Sequence, residues 1–282
     1  MINLPGIGDA FLVKKRVLVR ADLEWSGKDS QRERVTKEIV EYLKKNGAEE
    51  VKLIGHKGKF EPDLRADPRE EADDGSLAEE LAEGWDVYVN EAFATSHRKH
   101  CSIDALPRFM KSQGKEVGVG LRFEEEITHL SFPSLNLREG MQGRVIVIGG
   151  AKGDKEKYAD DFEKKGWTVL RGGLLPGAKL RPDGLDISDE EISNFKFLIS
   201  KAEVVVLAGP MGKYDEAPEG TREVFTAVAN SKAYKIAGGG DTEAALGKFG
   251  LLGKFDWISV GGGAMLEFLA TGTLVGIEAV IS

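Results

Sequence analysis

The 282-residue sequence predicts an α/β protein made of two doubly wound parallel sheets. Three observations carry this expectation. Short β-branched runs alternate with stretches of helical period. Most of the runs are continuously apolar, as expected where helices cover both faces of a parallel strand. The least periodic stretch, residues 131–143 (SFPSLNLREGMQG), separates the alternation into two halves and makes the best domain boundary. In the first half the runs at 17–20, 51–54, 87–89 and 117–119 read as strands, and in the second those at 145–148, 168–170, 204–207, 234–237 and 257–260. Between them, Ser76 with Glu79 and Ser188 with Glu191 have the spacing of capping boxes, which satisfy orphan amides at a helix start. Tyr158 and Phe162 sit one turn apart ahead of Gly166, a candidate C-cap.

Composition excludes several classes. With 41% apolar and 30% charged residues the chain is that of a folded globular protein, not a disordered one. Its 39 basic and 47 acidic residues give a net charge of −8, which argues against a nucleic-acid partner. No run of about 18 apolar residues offers a membrane span, and MINLPGIGDAFLVKKR lacks the regions of a signal peptide. The lone cysteine, Cys101, allows no internal disulfide and points to the cytoplasm. The histidines lack HExxH spacing and Cys101 has no cysteine partner, so no zinc site is expected.

The residues after each strand carry the chemistry, because ligands of such sheets bind beyond the strands' carboxyl ends. In the second half these are glycines: Gly149-Gly150, Gly172-Gly173, Gly209-Pro210, Gly238-Gly239-Gly240 and Gly261-Gly262-Gly263. One such pair is an ordinary tight turn. Together on one sheet edge they let backbone amides approach a phosphate chain, and helix N-termini behind them favour negative charge. Neither a Walker A pattern nor Gly-x-Gly-x-x-Gly is present, which disfavours a dinucleotide enzyme.

In the first half the followers are charged. Asp22 and Glu24 end the first strand, and His56, Lys57 and Lys59 follow the second. Asn90 and Glu91 end the third, ahead of His97, Arg98, Lys99 and His100. With Arg32 or Arg34 and Arg65, basic groups gather on one edge and suit a small phosphorylated or carboxylated substrate. Taken singly, Lys57, Lys99 and His100 read as solvated loop residues, and His129 as structural.

These motifs resemble those of the phosphoglycerate kinase family, in the family's order and over nearly the whole chain. VLVRADLE (17–24) is similar to VLVRxDxN, GHKGK (55–59) to SHLGR, and VYVNEAFATSHRKH (87–100) to VYVNDAFGxxHRxH. GGAKGDK (149–155) resembles GGAKxxDK with one residue missing, and VVVLAGPMGKYD (204–215) resembles VVWNGPMGxFE. GGGDT (238–242) and SVGGGA (259–264) match the last two glycine motifs. The chain is much shorter than the family's usual length, with gaps after Lys59 and between Gly173 and Gly184. Chain order then puts Arg65 where the family has the arginine of ENLRF, with Arg122 as the alternative.

The resemblance implies two Rossmann-like domains joined by a hinge: an N-terminal phosphoglycerate-binding domain (1–137), a C-terminal nucleotide-binding domain (138–272) and a segment (273–282) returning to the first. It implies reversible phosphoryl transfer between ATP or ADP and 3-phosphoglycerate or 1,3-bisphosphoglycerate in glycolysis, by a cytoplasmic monomer that closes about its hinge. Asp22-Leu23-Glu24, His56-Lys57-Gly58-Lys59, Arg65 and Arg98 would hold phosphoglycerate. Gly149, Gly150, Lys152, Lys155, Gly209, Pro210, Asp215, Gly238-Gly239-Gly240, Asp241, Thr242 and Gly261-Gly262-Gly263 would hold the nucleotide. Arg34, Lys155 and Asp241 would be catalytic, Asp241 also carrying Mg2+. Arg34 is preferred to Arg32 because Val35, Ile39 and Tyr42 would then form the helix face behind it. Glu24, Lys59, Ala208, Asp215, Val260 and Met265 depart from the family pattern, and with the deletions they motivate an alternative: a non-catalytic relative that binds nucleotide. An unrelated α/β phosphate-binding module is the third reading.

Overall fold

The structure, a computed structural model, describes residues 4–9, 12–22, 31–56, 63–131, 143–150 and 155–282. The chain divides into two compact units, Met1–Pro133 with Glu267–Ser282, and Ser134–Leu266. The C-terminal part of unit one thus begins at Glu267, six residues before the Thr273 expected from sequence.

In unit one the order is β1 (Arg16–Arg20), α1 (Gln31–Lys45), β2 (Glu50–Ile54), α2 (Pro68–Glu71), α3 (Gly75–Ala82), β3 (Val87–Asn90), α4 (Ala105–Ser112), β4 (Glu116–Val119) and α5 (Leu121–Leu130). The order continues in unit two with β5 (Arg144–Ile148), α6 (Glu156–Lys164), β6 (Thr168–Arg171), α7 (Asp189–Ser200) and β7 (Val204–Ala208). Then come α8 (Glu219–Asn230), β8 (Tyr234–Gly238), α9 (Gly240–Lys248), β9 (Trp257–Ser259), α10 (Gly262–Thr271), within which unit one resumes at Glu267, and α11 (Val275–Ile281). Every run expected to be a strand is one.

Unit one holds a 4-stranded sheet ordered β2-β1-β3-β4 and unit two a 5-stranded sheet ordered β6-β5-β7-β8-β9. All pairings are parallel, with Val17 opposite Val51 and Val87, and Val145 opposite Thr168 and Val205. In each sheet the direction of winding reverses next to the first strand, between β1 and β3 and between β5 and β7. That reversal opens a crevice at the carboxyl edge.

The continuous apolar strands are explained by burial on two faces. Val17 and Val19 pack with Ile39, Leu43, Val87 and Val89, while Leu18 faces Ile54, Leu64, Tyr88, Leu106 and Met110 on the other side. In unit two Val145, Val147, Val205 and Leu207 pack with Phe195, Val224 and Phe225. The opposite face carries Ile146, Ile148, Val204 and Val206, all fully buried.

Helix ends partly follow the sequence reading. Ser188 caps α7 by accepting the Glu191 N–H at 3.2 Å, but the Glu191 carboxylate pairs with Lys179 at 2.9 Å and does not complete the box. At α3 the cap is Asp74, which accepts the Ser76 N–H at 2.7 Å, so the box expected at Ser76 is corrected by two residues. An aspartate at the cap reaches the second helical amide and leaves Ser76 inside the helix. Gly166, with φ of 76°, follows α6 as expected; Trp167 N–H returns to Phe162 O at 3.0 Å while the two rings pack 5.2 Å apart. No single described helix is long and apolar enough to cross a membrane.

Candidate functional site

The carboxyl edge of unit one is built from charged side chains tied together beneath the surface. Strand β1 ends at Arg20, which is fully buried and donates from Nε to Ser102 Oγ at 2.8 Å and from Nη1 to its neighbour's carbonyl, Ala21 O. Ser102 Oγ passes its own hydrogen to Glu70 Oε1 at 2.6 Å, and Ser102 N–H meets Glu70 Oε2 at 2.9 Å. His56, at the end of β2, places Nε2 2.8 Å from the same Oε1. Burial opposes the charge on Glu70, but the hydrogen bonds from His56 and Ser102, with Arg20 nearby, hold its carboxyl below the ordinary range. His100 sits on the far side, its Nδ1 4.0 Å from Glu70 Oε1, and burial pushes its pKa down to about 4.

Arg65 arrives beside His56 through a short bridge. Gly55 pairs with Asp63, Leu64 N–H donates to Gly55 O at 3.1 Å, and Asp63 caps the turn by accepting Arg65 N–H at 3.0 Å. At the end of β3, Asn90 closes a turn by accepting Ala92 N–H and donating to Ser96 Oγ, both at 3.0 Å. The chain then presents Arg98. Arg65 and Arg98 are exposed, and neither guanidinium bonds to a described residue. Lys99 pairs instead with Asp73 at 3.3 Å and Asp104 at 3.8 Å.

The carboxyl edge of unit two is built from backbone. Gly149 N–H donates to Ala208 O at 3.1 Å, Gly172 N–H to Ile148 O at 2.8 Å and Gly173 N–H to Met211 O at 2.6 Å, so the turns are stitched to one another. Thr242 Oγ1 accepts Gly209 N–H at 2.8 Å and donates to Gly238 O at 3.0 Å, joining β7 to β8. Lys155 Nζ donates to Gly149 O at 2.9 Å and Ala208 O at 3.0 Å, between the ends of β5 and β7. Helix α9 starts at Gly240 after Gly239, whose φ is 100°, and no side chain caps it. Its first amides are therefore available to an anion.

The comparisons decide what these edges belong to. A family model described as Phosphoglycerate kinase matches residues 62–177 and 178–272. The phosphoglycerate kinase of Herpetosiphon aurantiacus is 32% identical over 76% of this chain and 69% of its own. That of Anaeromyxobacter dehalogenans (strain 2CP-1) is 29% identical over 98% of this chain and 89% of its own. The chain belongs to the phosphoglycerate kinase family. By that membership it is a nucleotide-binding transferase. Two solved structures share the fold: phosphoglycerate kinase from Coxiella burnetii (TM-score 0.77, 22% identity, 99% of each chain) and from Pyrococcus horikoshii (TM-score 0.77, 22% identity, 97% of this chain and 98% of that one).

Within this phosphoglycerate kinase fold, His56, Arg65 and Arg98 stand on elements at one edge of unit one. Asp22, half-buried, follows β1 on the same edge. Leu23, Glu24, Lys57, Gly58, Lys59 and Lys152 lie outside the described residues. The helix face expected behind Arg34 differs from the one observed. Thr36, Ile39 and Leu43 are the buried side of α1, Val35 and Tyr42 are only half-buried, and Arg34 is exposed. Arg34 lies two residues, about 200° of helix, before Thr36, whereas position 32 lies one turn before it on the same face. Arg122, the alternative to Arg65, pairs with Glu125 at 3.5 Å and Glu126 at 3.3 Å along α5.

In unit two the glycines sort into two kinds. A Cβ on Gly149 would meet Pro210 O at 2.1 Å, one on Gly209 would meet Gly149 O at 2.1 Å, one on Gly238 would meet Met265 Sδ at 2.7 Å and one on Gly262 would meet Gly239 Cα at 2.9 Å. The clashes at Gly149, Gly209 and Gly262 are with backbone, so glycine there is required by packing of turn on turn, whereas Gly238 faces the flexible end of a side chain. Gly150 and Gly239 meet nothing closer than 3.5 Å and Gly240 faces open space, so these line a surface. Gly261 N–H donates to Ser259 Oγ at 3.3 Å and is buried; Gly262 opens α10 and Gly263 is its second residue. Asp215 is exposed and pairs with Lys248 at 3.0 Å, and Asp241 is exposed in the first turn of α9. Sequence reasoning missed Arg20, Glu70 and Ser102. Nothing in the local pattern around Arg20 or Glu70 signals that their charged groups are fully buried.

Proposed function

We propose that unit one binds 3-phosphoglycerate and unit two an adenine nucleotide, for reversible phosphoryl transfer between ATP and the substrate carboxylate in glycolysis. The observation that carries this reading is the contrast between the edges. One offers exposed guanidinium groups, Arg65 and Arg98, that bond to no described residue and suit phosphate and carboxylate forks. The other offers bare amides at α9 with Lys155 between two strand ends, which suits a phosphate chain. Their pairing on one chain matches a reaction whose catalysis is positioning and charge neutralisation.

The residues of this chain have distinct tasks. Asp22, His56, Arg65 and Arg98 orient phosphoglycerate. Gly150, Gly239, Gly240 and the first amides of α9 bind the nucleotide's phosphates, and Thr242 holds the two turns in register. Lys155 meets the transferring phosphoryl group by exchanging its carbonyl partners for phosphate oxygens. The register of α1 favours Arg32 over Arg34 as the arginine that acts with it. Asp241 is an exposed carboxylate with no hydrogen bond to a described residue, which fits Mg2+, an ion that keeps most of its water and takes few protein ligands. Bound there, Mg2+ would offset charge on the nucleotide's phosphate oxygens. The enzyme acts in the cytoplasm as a monomer; its sole cysteine, Cys101, is buried and free.

Coupled measurement of ADP formation dependent on both ATP and 3-phosphoglycerate tests this function. Lys155→Ala is expected to lower kcat by about 10²–10³ with ADP binding retained, and Arg32→Ala to lower it far more than Arg34→Ala. A wild-type chain that binds ADP without turnover would select the non-catalytic reading, which nothing in the comparisons favours.

A further inference from the structure

We propose that Glu70 is a positioning residue for the phosphoglycerate half of the reaction, holding His56 so that Nδ1 is the ring atom presented to substrate. The inference rests on the reading that His56 binds phosphoglycerate.

A buried carboxylate is costly unless its lone pairs are met. Glu70 is fully buried on the four-residue helix α2, and its acceptors are used by three elements at once. His56 comes from the end of β2, Ser102 from the segment after β3, and Arg20, through Ser102 Oγ, from the end of β1. The ends of three strands are thereby referred to one carboxylate. Because Glu70 stays ionised it can only accept, so the hydrogen between it and His56 belongs to Nε2. Nδ1 of His56 makes no hydrogen bond with a described residue. A neutral ring would accept there from a substrate hydroxyl, and a protonated one would donate to a carboxylate or phosphate oxygen. Phosphoglycerate carries all three groups. Without Glu70 the ring is free to flip and to place its hydrogen on either nitrogen.

The same cluster approaches the spacing of a metal site, the ligand atoms of His56, Glu70 and His100 lying within 4.8 Å of one another. Two features oppose a cation there. Both Glu70 oxygens already accept hydrogen bonds, and the Arg20 guanidinium adds positive charge one hydroxyl away.

Steady-state kinetics of the full chain tests the proposal with Glu70→Gln, His56→Ala and the double variant. Glu70→Gln is expected to raise KM for 3-phosphoglycerate about tenfold, the scale of a hydrogen bond to a charged group, with kcat and KM for ATP little changed. It should add nothing in the His56→Ala background. In ¹⁵N-histidine spectra the neutral His56 ring should carry its single hydrogen on Nε2 in the wild type and be a mixture of the Nε2–H and Nδ1–H tautomers in the variant. A Glu70→Gln effect that falls equally on ATP, or that adds to His56→Ala, would overturn the proposal. If His56→Ala leaves KM for phosphoglycerate unchanged, the substrate-site reading fails; if it raises KM and Glu70→Gln does not, only the role of Glu70 fails. Should Glu70→Gln not fold, Ser102→Ala keeps the carboxylate and is expected to raise the same KM by a smaller factor, an unchanged KM counting against the proposal.

Discussion

The two carboxyl edges solve one problem, anion recognition, with different materials. Unit one uses side chains, and its exposed cations stand on turns held by polar side chains such as Asp63 and Asn90. Unit two uses main chain, and its turns press on one another so closely that several positions exclude even a methyl group. Where side chains act, each residue type names its own chemistry. Where backbone acts, glycine marks two different needs with the same letter.

The sharpest way to break this contrast is to add one methyl group at each kind of glycine. Gly209→Ala would set Cβ against Gly149 O and Lys155 Nζ at a φ of 113°, and should cost at least about 3 kcal/mol in urea denaturation. Gly240→Ala meets open space, so its stability should stay within about 0.5 kcal/mol of wild type. Calorimetry should nonetheless show weaker ADP binding. If both substitutions unfold the chain alike, the sorting of glycines is wrong.

In unit one the corresponding lever is pH. Glu91 is buried against the start of α5, accepting Arg122 N–H at 3.1 Å and Phe123 N–H at 3.2 Å, and burial pushes its pKa up to about 7 from an ordinary 4.5. A carboxyl raised in the folded chain contributes stability below its ordinary value, and that contribution is lost as pH rises through about 7. Relative to Glu91→Gln, the wild type should therefore lose up to about 3 kcal/mol between about pH 4.5 and pH 8. His100, lowered to about 4, gives the opposite slope in both proteins and cancels in the comparison. Equal pH dependence of the two unfolding midpoints would remove Glu91 from the account. A smaller effect separates the caps of α3: Asp74→Ala should cost about 1 kcal/mol and Ser76→Ala less than half of that, read as melting temperatures.

Much of this was legible in the chain alone, and the physical reason differs by region. The strands were visible because two-sided burial writes continuous Val, Ile and Leu runs such as 145–148 and 204–207. The placement of His56 just after β2, and of Arg98 on the segment that follows β3, was visible because the strands themselves were. The buried face of α1 lies one residue from the expected one, because a helix with half-buried Val35 and Tyr42 beside Ile39 offers two overlapping stripes. The Ser76 box failed because Asp74 is an equally good cap two residues earlier. Arg20 and Glu70 were illegible for a deeper reason. A charge buried by partners distant in sequence, Ser102 foremost, leaves no local periodicity to detect.

The bridge between Gly55 and Asp63 has a consequence for how the family's length can vary. It clamps the chain again directly after β2, so the two ends of the connection between Gly55 and Asp63 are held together whatever number of residues joins them. Loop-closure entropy grows only by about 0.6 kcal/mol for each doubling of length, so a compact subdomain spliced in there would barely tax folding. Residues gained or lost there, at one of the two gaps against the family's motifs, would then leave the sheet of unit one as it is.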